Sequence, residues 1–182
     1  MKLKLFMMVL ALQTCWLLGT VLQQENILRV GRTVLLETQP VDPRDLLRGD
    51  FVRLNYKINH LPVKLFSGPV NTNPPAGTRI FVALAQTGTN QFWEATRAAT
   101  KYFPPATNEV VLSGKTAGQW RKVGDALTVE YGIEKYFVAE GTGNPHGKLT
   151  ALVVVTKSGR ASIKEVFLDG KPYAEAMKGE TQ

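Results

Sequence analysis

Cysteine is nearly absent: Cys15 is the single one in 182 residues, and it lies in the apolar N-terminal run. The rest of the chain therefore has no disulfide, no thiolate metal site and no cysteine nucleophile. Histidine is scarce as well. His60 and His146 each stand alone in proline-flanked stretches, without the spacing zinc requires, so no metal is expected. Beyond the N-terminus no stretch reads as a long amphipathic helix. An arginine-rich helix and the aromatic-and-basic strands of RNA-binding folds are also missing, which removes nucleic acid from the expected partners. Gly141-Thr142-Gly143 is too short for a phosphate cradle and lacks a following helix, and no cofactor is expected.

What is present begins with enough apolar sequence, 44%, to bury one substantial core. The net charge is +7, from 22 basic and 15 acidic residues. Lys2 and Lys4 account for two of those charges and leave +5 on the remainder, a mild excess that suits an anionic lipid surface.

Leu5 to Leu22 is nearly unbroken apolar sequence. As a helix it reaches about 27 Å at about 1.5 Å per residue, long enough to be read as a transmembrane helix. Lys2 and Lys4 keep its start in the cytoplasm and send the rest outward. The expected organisation is an anchor over residues 1–24 in the inner or plasma membrane, followed by an extracytoplasmic β-rich domain over residues 25–182. A cleaved signal peptide is the competing reading, but no convincing small-x-small site follows Leu17. A lipoprotein would need a better box before Cys15 than Leu12-Gln13-Thr14.

Past a polar exit at Gln23 to Gly31, Thr33 to Glu37 reads as a first strand. Asp42 suits an N-cap, Pro43 the first helical position, and Asp45 the capping-box acid. Leu46 and Leu47 would aim this turn at a core, and Gly49 would end it. After Asp50 the period changes to two, with Val52, Leu54, Tyr56 and Ile58 on one face of a half-buried strand. Asn59 to Gly77, with Pro62, Pro69, Pro74 and Pro75, reads as a long surface loop. Arg79 to Ala85 and Gln91 to Thr96 form a hairpin across Thr87 to Asn90. Pro104-Pro105 ends that unit. Glu109 to Lys115 and Ala126 to Tyr131 are strand-length, and Leu149 to Thr156 and Ala161 to Leu168 form a last pair. Asp169-Gly170 turns the chain, and Pro172 to Lys178 makes a final helical turn. Many short strands bounded by turns predict a single all-β sandwich or open barrel behind one transmembrane helix.

Gly49-Asp50-Phe51-Val52-Arg53-Leu54-Asn55-Tyr56 resembles the signature of the bacterial GDYxxLxY family of membrane-anchored proteins. The preceding Pro40-x-Asp42-Pro43-Arg44-Asp45-Leu46 run resembles the rest of that motif, and Lys135 to Gly143 its second motif. Phe51 stands where the signature has tyrosine, so a hydroxyl there is not essential in this member. The resemblance implies no established activity. It does imply a multi-spanning membrane protein as partner, because such proteins tend to be encoded beside the family. It also marks Asp42, Pro43, Arg44, Asp45, Arg48, Gly49, Asp50, Leu54, Tyr56, Glu140, Gly141 and Gly143 as signature positions. The order of Val41-Asp42-Pro43, Gly49-Asp50-Phe51-Val52 and Tyr136-Phe137-Val138 is similar to that of motifs in bacterial signal peptidases. Pro40 then falls at the nucleophile position and has no hydroxyl to attack a carbonyl, which leaves a non-catalytic relative of that β-fold.

The remaining chemistry has bland explanations. Arg44, Arg48 and Arg53 stand near Asp42, Asp45 and Asp50 and read as ion pairs around a turn. Arg48-Gly49-Asp50 spells an adhesion tripeptide whose three residues already have structural work. The expected function is a non-catalytic, membrane-tethered accessory or interaction subunit that uses the signature turn as a contact surface. Two alternatives stand beside it. One is an envelope hydrolase that brings the Asp50 and Glu140 carboxylates into one cleft. The other is a ligand-binding β-domain with an apolar pocket under Asn59 to Gly77.

Overall fold

The computed structural model describes residues 2–39, 51–66, 74–117, 126–138 and 147–177. The chain opens with helix α1, Lys2–Val30, which runs past the expected end of the apolar run into the stretch read as a polar exit. Two hydroxyls inside it fold back on helix carbonyls, Thr14 on Leu10 at 2.9 Å and Thr20 on Leu17 at 2.7 Å. Each thus satisfies its polarity without a partner outside the helix. Among the described residues, no helix is long and apolar enough to cross a membrane.

Among the described residues after α1, strands predominate. Strand β1, Arg32–Glu37, pairs antiparallel with β9, Leu149–Val155, with Arg32 opposite Val155 and Glu37 opposite Thr150. β9 is flanked on its other side by β10, Ala161–Leu168, which continues into β11, Lys171–Pro172. A central strand has both neighbours and both faces to fill, which is why β9 reads Leu-Thr-Ala-Leu-Val-Val-Val with little alternation. Between β10 and β11, Asp169 and Gly170 both take positive φ, 49° and 82°, the geometry of a two-residue hairpin turn. The Asp169 carboxylate also accepts from Lys148 N at 2.8 Å. The last helix, α2, is the single turn Tyr173–Ala176, as predicted.

The second sheet has five strands in the order β3-β7-β6-β4-β5. These are β3, His60–Pro62; β4, Arg79–Gln86; β5, Trp93–Ala99; β6, Val110–Thr116; and β7, Ala126–Glu130. The predicted β4–β5 hairpin is present, with Phe81 opposite Ala99 and a bulge at Ala83/Leu84. A two-stranded ribbon joins β2, Phe51–Arg53, to β8, Lys135–Phe137. One contiguous core draws on all three sheets, with Val34 and Val153 from the first, Ile80, Val82 and Leu112 from the second, and Val52 from the ribbon. The sheets are also tied by backbone, since Ser113 N donates to Gly159 O at 2.8 Å.

Two sequence expectations change. The strand from Asp50 to Ile58 ends at Arg53, and the chain turns through a 3-10 turn at Lys57–Asn59. The predicted alternation nevertheless survives as burial, with Val52, Leu54, Tyr56 and Ile58 all inside. Asn59 to Gly77 is not simply a surface loop either. It begins with β3, whose Leu61 is 0% exposed. Pro62 is tolerated because β3 is an edge strand that needs no outward N–H. At the far end of that stretch, Thr78 Oγ1 and Thr116 Oγ1 both donate to Pro75 O, at 2.6 and 2.8 Å, pinning the chain to the end of β6.

Candidate functional site

Of the signature residues, Leu54 and Tyr56 fall among the described ones and are buried in the core. Asp42, Pro43, Arg44, Asp45, Arg48, Gly49, Asp50, Glu140, Gly141 and Gly143 lie outside the described residues, as does the acidic pair required for hydrolysis. The two motifs do meet at their described ends, where Phe51 is opposite Phe137 and Val52 opposite Tyr136. Phe51 also packs edge-on against Phe137, at 6.2 Å between ring centroids, and under Lys135 Nζ at 5.0 Å.

Tyr56 is half of a reciprocal clasp. Its hydroxyl donates to Ile133 O at 2.8 Å, and the Tyr131 hydroxyl donates to Ile58 O at 2.8 Å. Each tyrosine thus reaches the carbonyl two residues beyond the other. The N–H of each tyrosine is taken by the side chain three residues on: Tyr56 N by Asn59 Oδ1 at 2.6 Å, Tyr131 N by Glu134 Oε1 at 2.5 Å. Asn59 Nδ2 links the halves by donating to Val129 O at 2.7 Å and to Glu134 Oε1 at 3.1 Å. Burial, assisted by the Glu134 carboxylate, pushes both phenols well above the ordinary tyrosine range, so both remain donors at neutral pH. In the segments Tyr56-Lys57-Ile58-Asn59 and Tyr131-Gly132-Ile133-Glu134 the visible sequence cue is a shared Tyr-x-Ile spacing followed by an acceptor. The final tyrosine of the signature therefore serves the fold.

The chemistry exposed to solvent lies elsewhere, in a groove of about 390 Å³. Its lining comes from Glu37 on β1, from Lys57, Ile58, His60, Pro62, Lys64 and Leu65, and from Phe92 to Ala95 at the start of β5. The ligand-binding alternative expects an apolar pocket under Asn59 to Gly77; this groove touches that stretch only at His60, Pro62, Lys64 and Leu65, and its lining is mixed rather than apolar. Ile58, Pro62, Leu65 and Trp93 give apolar walls, and the rim mixes Lys57 and Lys64 with the carboxylates of Glu37 and Glu94 and the imidazole of His60. Glu37 ties the rim together by binding Lys148 Nζ through Oε1 at 2.5 Å and Lys57 Nζ through Oε2. Lys148 and then Lys57 hold its carboxyl below the ordinary glutamate range. Lys148 Nζ also lies 5.2 Å from the Phe92 ring centroid, and the Arg32 guanidinium 5.3 Å from that of Trp93. Glu94 accepts from Thr87 Oγ1 at 3.0 Å and Asn90 Nδ2 at 3.3 Å, which fixes the hairpin loop beside the groove.

None of Glu37, Lys57, Lys148, Phe92 and Trp93 stands out in the sequence, because they are distant along the chain and converge only through the pairing of β1 with β9 and the curl of the second sheet. His60 lies on β3 at the groove, with Nδ1 3.5 Å from Thr128 Oγ1. Among the described residues no cluster of three or more His, Cys, Asp or Glu gathers in a metal-holding arrangement.

An N-terminal helix followed by open antiparallel sheets, with the two sequence motifs paired through β2 and β8, defines an all-β protein with an N-terminal helix. Within that class the chain belongs to the GDYXXLXY protein family, whose model matches residues 13–166. No curated protein and no solved structure matches the chain.

Proposed function

We propose that the protein is a membrane-tethered, non-catalytic extracytoplasmic domain, an accessory or interaction subunit of a complex built on a multi-spanning membrane protein. The observation that carries this reading is the surface of α1. Phe6, Met7, Met8, Val9 and Leu10 are all exposed, and consecutive residues about 100° apart cover the whole circumference of a helix. Leu12, Trp16, Leu17, Leu18, Val21 and Leu22 continue that surface. A helix apolar all round calls for an apolar surround, and internally bonded hydroxyls such as those of Thr14 and Thr20 suit lipid. No described helix is long and apolar enough by itself to cross a membrane, so the tether rests on this exposed apolar surface of the 29-residue helix, with Lys2 and Lys4 favouring a cytoplasmic start.

The groove supports binding over catalysis. Its most enclosed carboxyl, Glu37, is held ionised between two lysines, away from the near-neutral pKa that general acid–base work needs. We read the five-stranded sheet as an open barrel, since its two edge strands β3 and β5 line one groove. That arrangement, with Pro40 at the nucleophile position, fits a non-catalytic relative of the signal peptidase β-fold.

The test uses the full-length tagged chain in its native membrane. Retention in the membrane after alkaline carbonate, digestion of the β-domain by protease added outside, and a stoichiometric multi-spanning protein in a mild-detergent pull-down are the expected results. Release by carbonate overturns the tether, and recovery of the protein alone overturns the accessory role. A second reading, a small-ligand binder, is favoured by a groove volume within the usual range of ligand sites, about 300–1,000 Å³. Its sign would be a small molecule retained by the protein in native mass spectrometry.

A further inference from the structure

Gly-Asp occurs twice in the chain, as Gly49-Asp50 and Gly124-Asp125, and both times a tyrosine follows the aspartate by six residues. Aligned on Tyr56 and Tyr131, Gly49-Asp50-Phe51-Val52-Arg53-Leu54-Asn55-Tyr56 matches Gly124-Asp125-Ala126-Leu127-Thr128-Val129-Glu130-Tyr131, with apolar residues at the same alternate places. Val52, Leu54, Tyr56 and Ile58 of the first stretch are buried, and so are their counterparts Leu127, Val129, Tyr131 and Ile133. The pairing repeats as well. Phe51, Val52 and Arg53 lie opposite Phe137, Tyr136 and Lys135, and the counterparts Ala126, Leu127 and Thr128 lie opposite Pro62, Leu61 and His60. Exchanging the two stretches carries each of these pairs onto a pair of the other ribbon with no shift in register. It also carries the two tyrosine bonds of the clasp onto each other. Such reciprocity is that of an interface between two copies related by a two-fold axis. The match breaks after the tyrosines, where Gly132 has a φ of 81° and Lys57 sits in a 3-10 turn. There the longer Glu134 stands in the place of Asn59 and takes Gly132 N as well, at 2.8 Å.

We infer that the signature is present twice, and that the copy ending in Tyr131 is the binding partner of the copy ending in Tyr56, so that residues 51–62 and 126–137 meet as a two-fold interface inside one chain. The signature surface is thus occupied within the chain, and a membrane partner docks elsewhere. Equal register in both ribbons is a strict condition, because a slip of one residue turns every buried side chain of a strand outward. Two unrelated strand pairs have no cause to share register, burial and both bonds of the clasp. The equivalence also reaches beyond the described residues, where Gly124 and Asp125 lie, as Gly49 and Asp50 do. It assigns to Asp125 the part that Asp50 plays in the first copy. An aspartate after a turn glycine can hold backbone amides, and these two immediately precede β2 and β7.

The experiment compares Asp50→Ala with Asp125→Ala in the full-length chain in mild detergent. Beside them stands Glu175→Ala, which removes an exposed acid of α2 that belongs to neither copy. Thermal melts followed by circular dichroism should show equal losses for the two aspartate variants, on the order of 2–8 °C each, and none for Glu175→Ala. Each aspartate variant should also move the appearance of tyrosinate to lower pH, and should do so for both phenols, because each hydroxyl bonds into the opposite copy. The Tyr56→Phe and Tyr131→Phe backgrounds read the two phenols one at a time. Where an alanine variant does not fold, Asp50→Asn and Asp125→Asn keep the comparison. A loss confined to one of the two positions, or none at either, overturns the second copy. So does an Asp50→Ala protein that melts as wild type does but no longer recovers a membrane partner, since the signature would then be a contact surface. The melts need no partner, so their outcome is independent of the accessory role.

Discussion

The hydroxyl of Tyr56 lies 2.8 Å from the carbonyl oxygen of Ile133, and the bond is returned when Tyr131 donates to Ile58 O. Because both tyrosines are buried, neither carbonyl has water to fall back on. Tyr56→Phe keeps the ring and removes the donor, leaving the Ile133 carbonyl short of its partner. We expect a loss of about 1–3 kcal/mol from Tyr56→Phe and a similar loss from Tyr131→Phe. The double variant should depart from the sum of the two, since both bonds join the same pair of segments. Urea unfolding of the four proteins measures this, and a Tyr56→Phe protein as stable as wild type would show that the clasp contributes nothing.

Asn59 is the linker of the clasp, accepting from Tyr56 N while donating to Val129 O and Glu134 Oε1. Asn59→Asp retains the acceptor but turns the donor into a charge facing a carbonyl and another carboxylate. The predicted cost at neutral pH exceeds that of Tyr56→Phe and is on the order of 3–5 kcal/mol, as for a buried charge without its partner. Protonation restores a donor, so part of the loss should return as the pH is lowered. Thermal melts at neutral and mildly acidic pH, compared with wild type, check both the size and the direction.

The phenols of Tyr56 and Tyr131 make a separate prediction at alkaline pH. Burial raises both above the ordinary tyrosine value of 10.0. The unfolded chain therefore releases these protons first. The stability they contribute is complete below about pH 10 and is lost as the pH rises beyond it. Alkaline unfolding should coincide with late, cooperative appearance of tyrosinate absorbance. In the Tyr131→Phe protein the decline in stability above pH 10 should be shallower, measured relative to that variant's own stability at neutral pH.

How much of this was legible in the sequence follows from the range of each interaction. The hairpin at Thr87 to Asn90, the β9–β10 pair and the Asp169-Gly170 turn are local, and alternation with turn residues reveals them. The burial of Val52, Leu54, Tyr56 and Ile58 was legible too, because side-chain alternation persists even where the strand does not. The 3-10 turn was hidden because its cause is the Asn59 side chain capturing Tyr56 N, a choice that no period reports. β3 was masked by proline, whose usual meaning fails on an edge. The groove depends on contacts such as Glu37 with Lys148, more than a hundred residues apart, and pairing at that distance leaves no local trace.

Glu37 gives an acid-side prediction. Lys148 and Lys57 lower its pKa from the ordinary 4.5, so the folded state holds the carboxylate more strongly than the unfolded chain does. That contribution is present above about pH 4.5 and is lost as the pH falls through the lower, folded value. Glu37→Gln should flatten the acid limb of the stability curve below pH 4.5 and cost little elsewhere. The small cost follows because Lys57 and Lys148 are half-exposed, at 54% and 56%, and water screens such pairs. Chemical denaturation across the acid range measures the slope, and an unaltered limb would assign the acid sensitivity to other carboxylates, with Glu109 beside Arg97 the next to test.

Gly114 shows how the clasp is seated. It lies within β6, opposite Ile80, where glycine normally weakens a strand by about 0.5–1 kcal/mol relative to alanine. The reason glycine stands here nonetheless is space. A Cβ at this position would collide with the Val129 side chain and stand 2.8 Å from Tyr131 Cδ1 and 2.9 Å from Glu130 O. The backbone oxygen cannot move without disturbing the short β6–β7 pairing, and the Tyr131 ring cannot move without shifting its hydroxyl from Ile58 O. Overpacking of this kind costs about 1–3 kcal/mol, more than the strand gains from alanine, so Gly114→Ala should destabilise on balance. If the collision acts through Tyr131, the alanine variant should also lower the raised tyrosine pKa by loosening the clasp. Its cost should shrink in a Tyr131→Ala background, where the ring is gone. Equal costs in the two backgrounds would place the strain on Val129 and the Glu130 carbonyl and remove Gly114 from any part in seating the clasp.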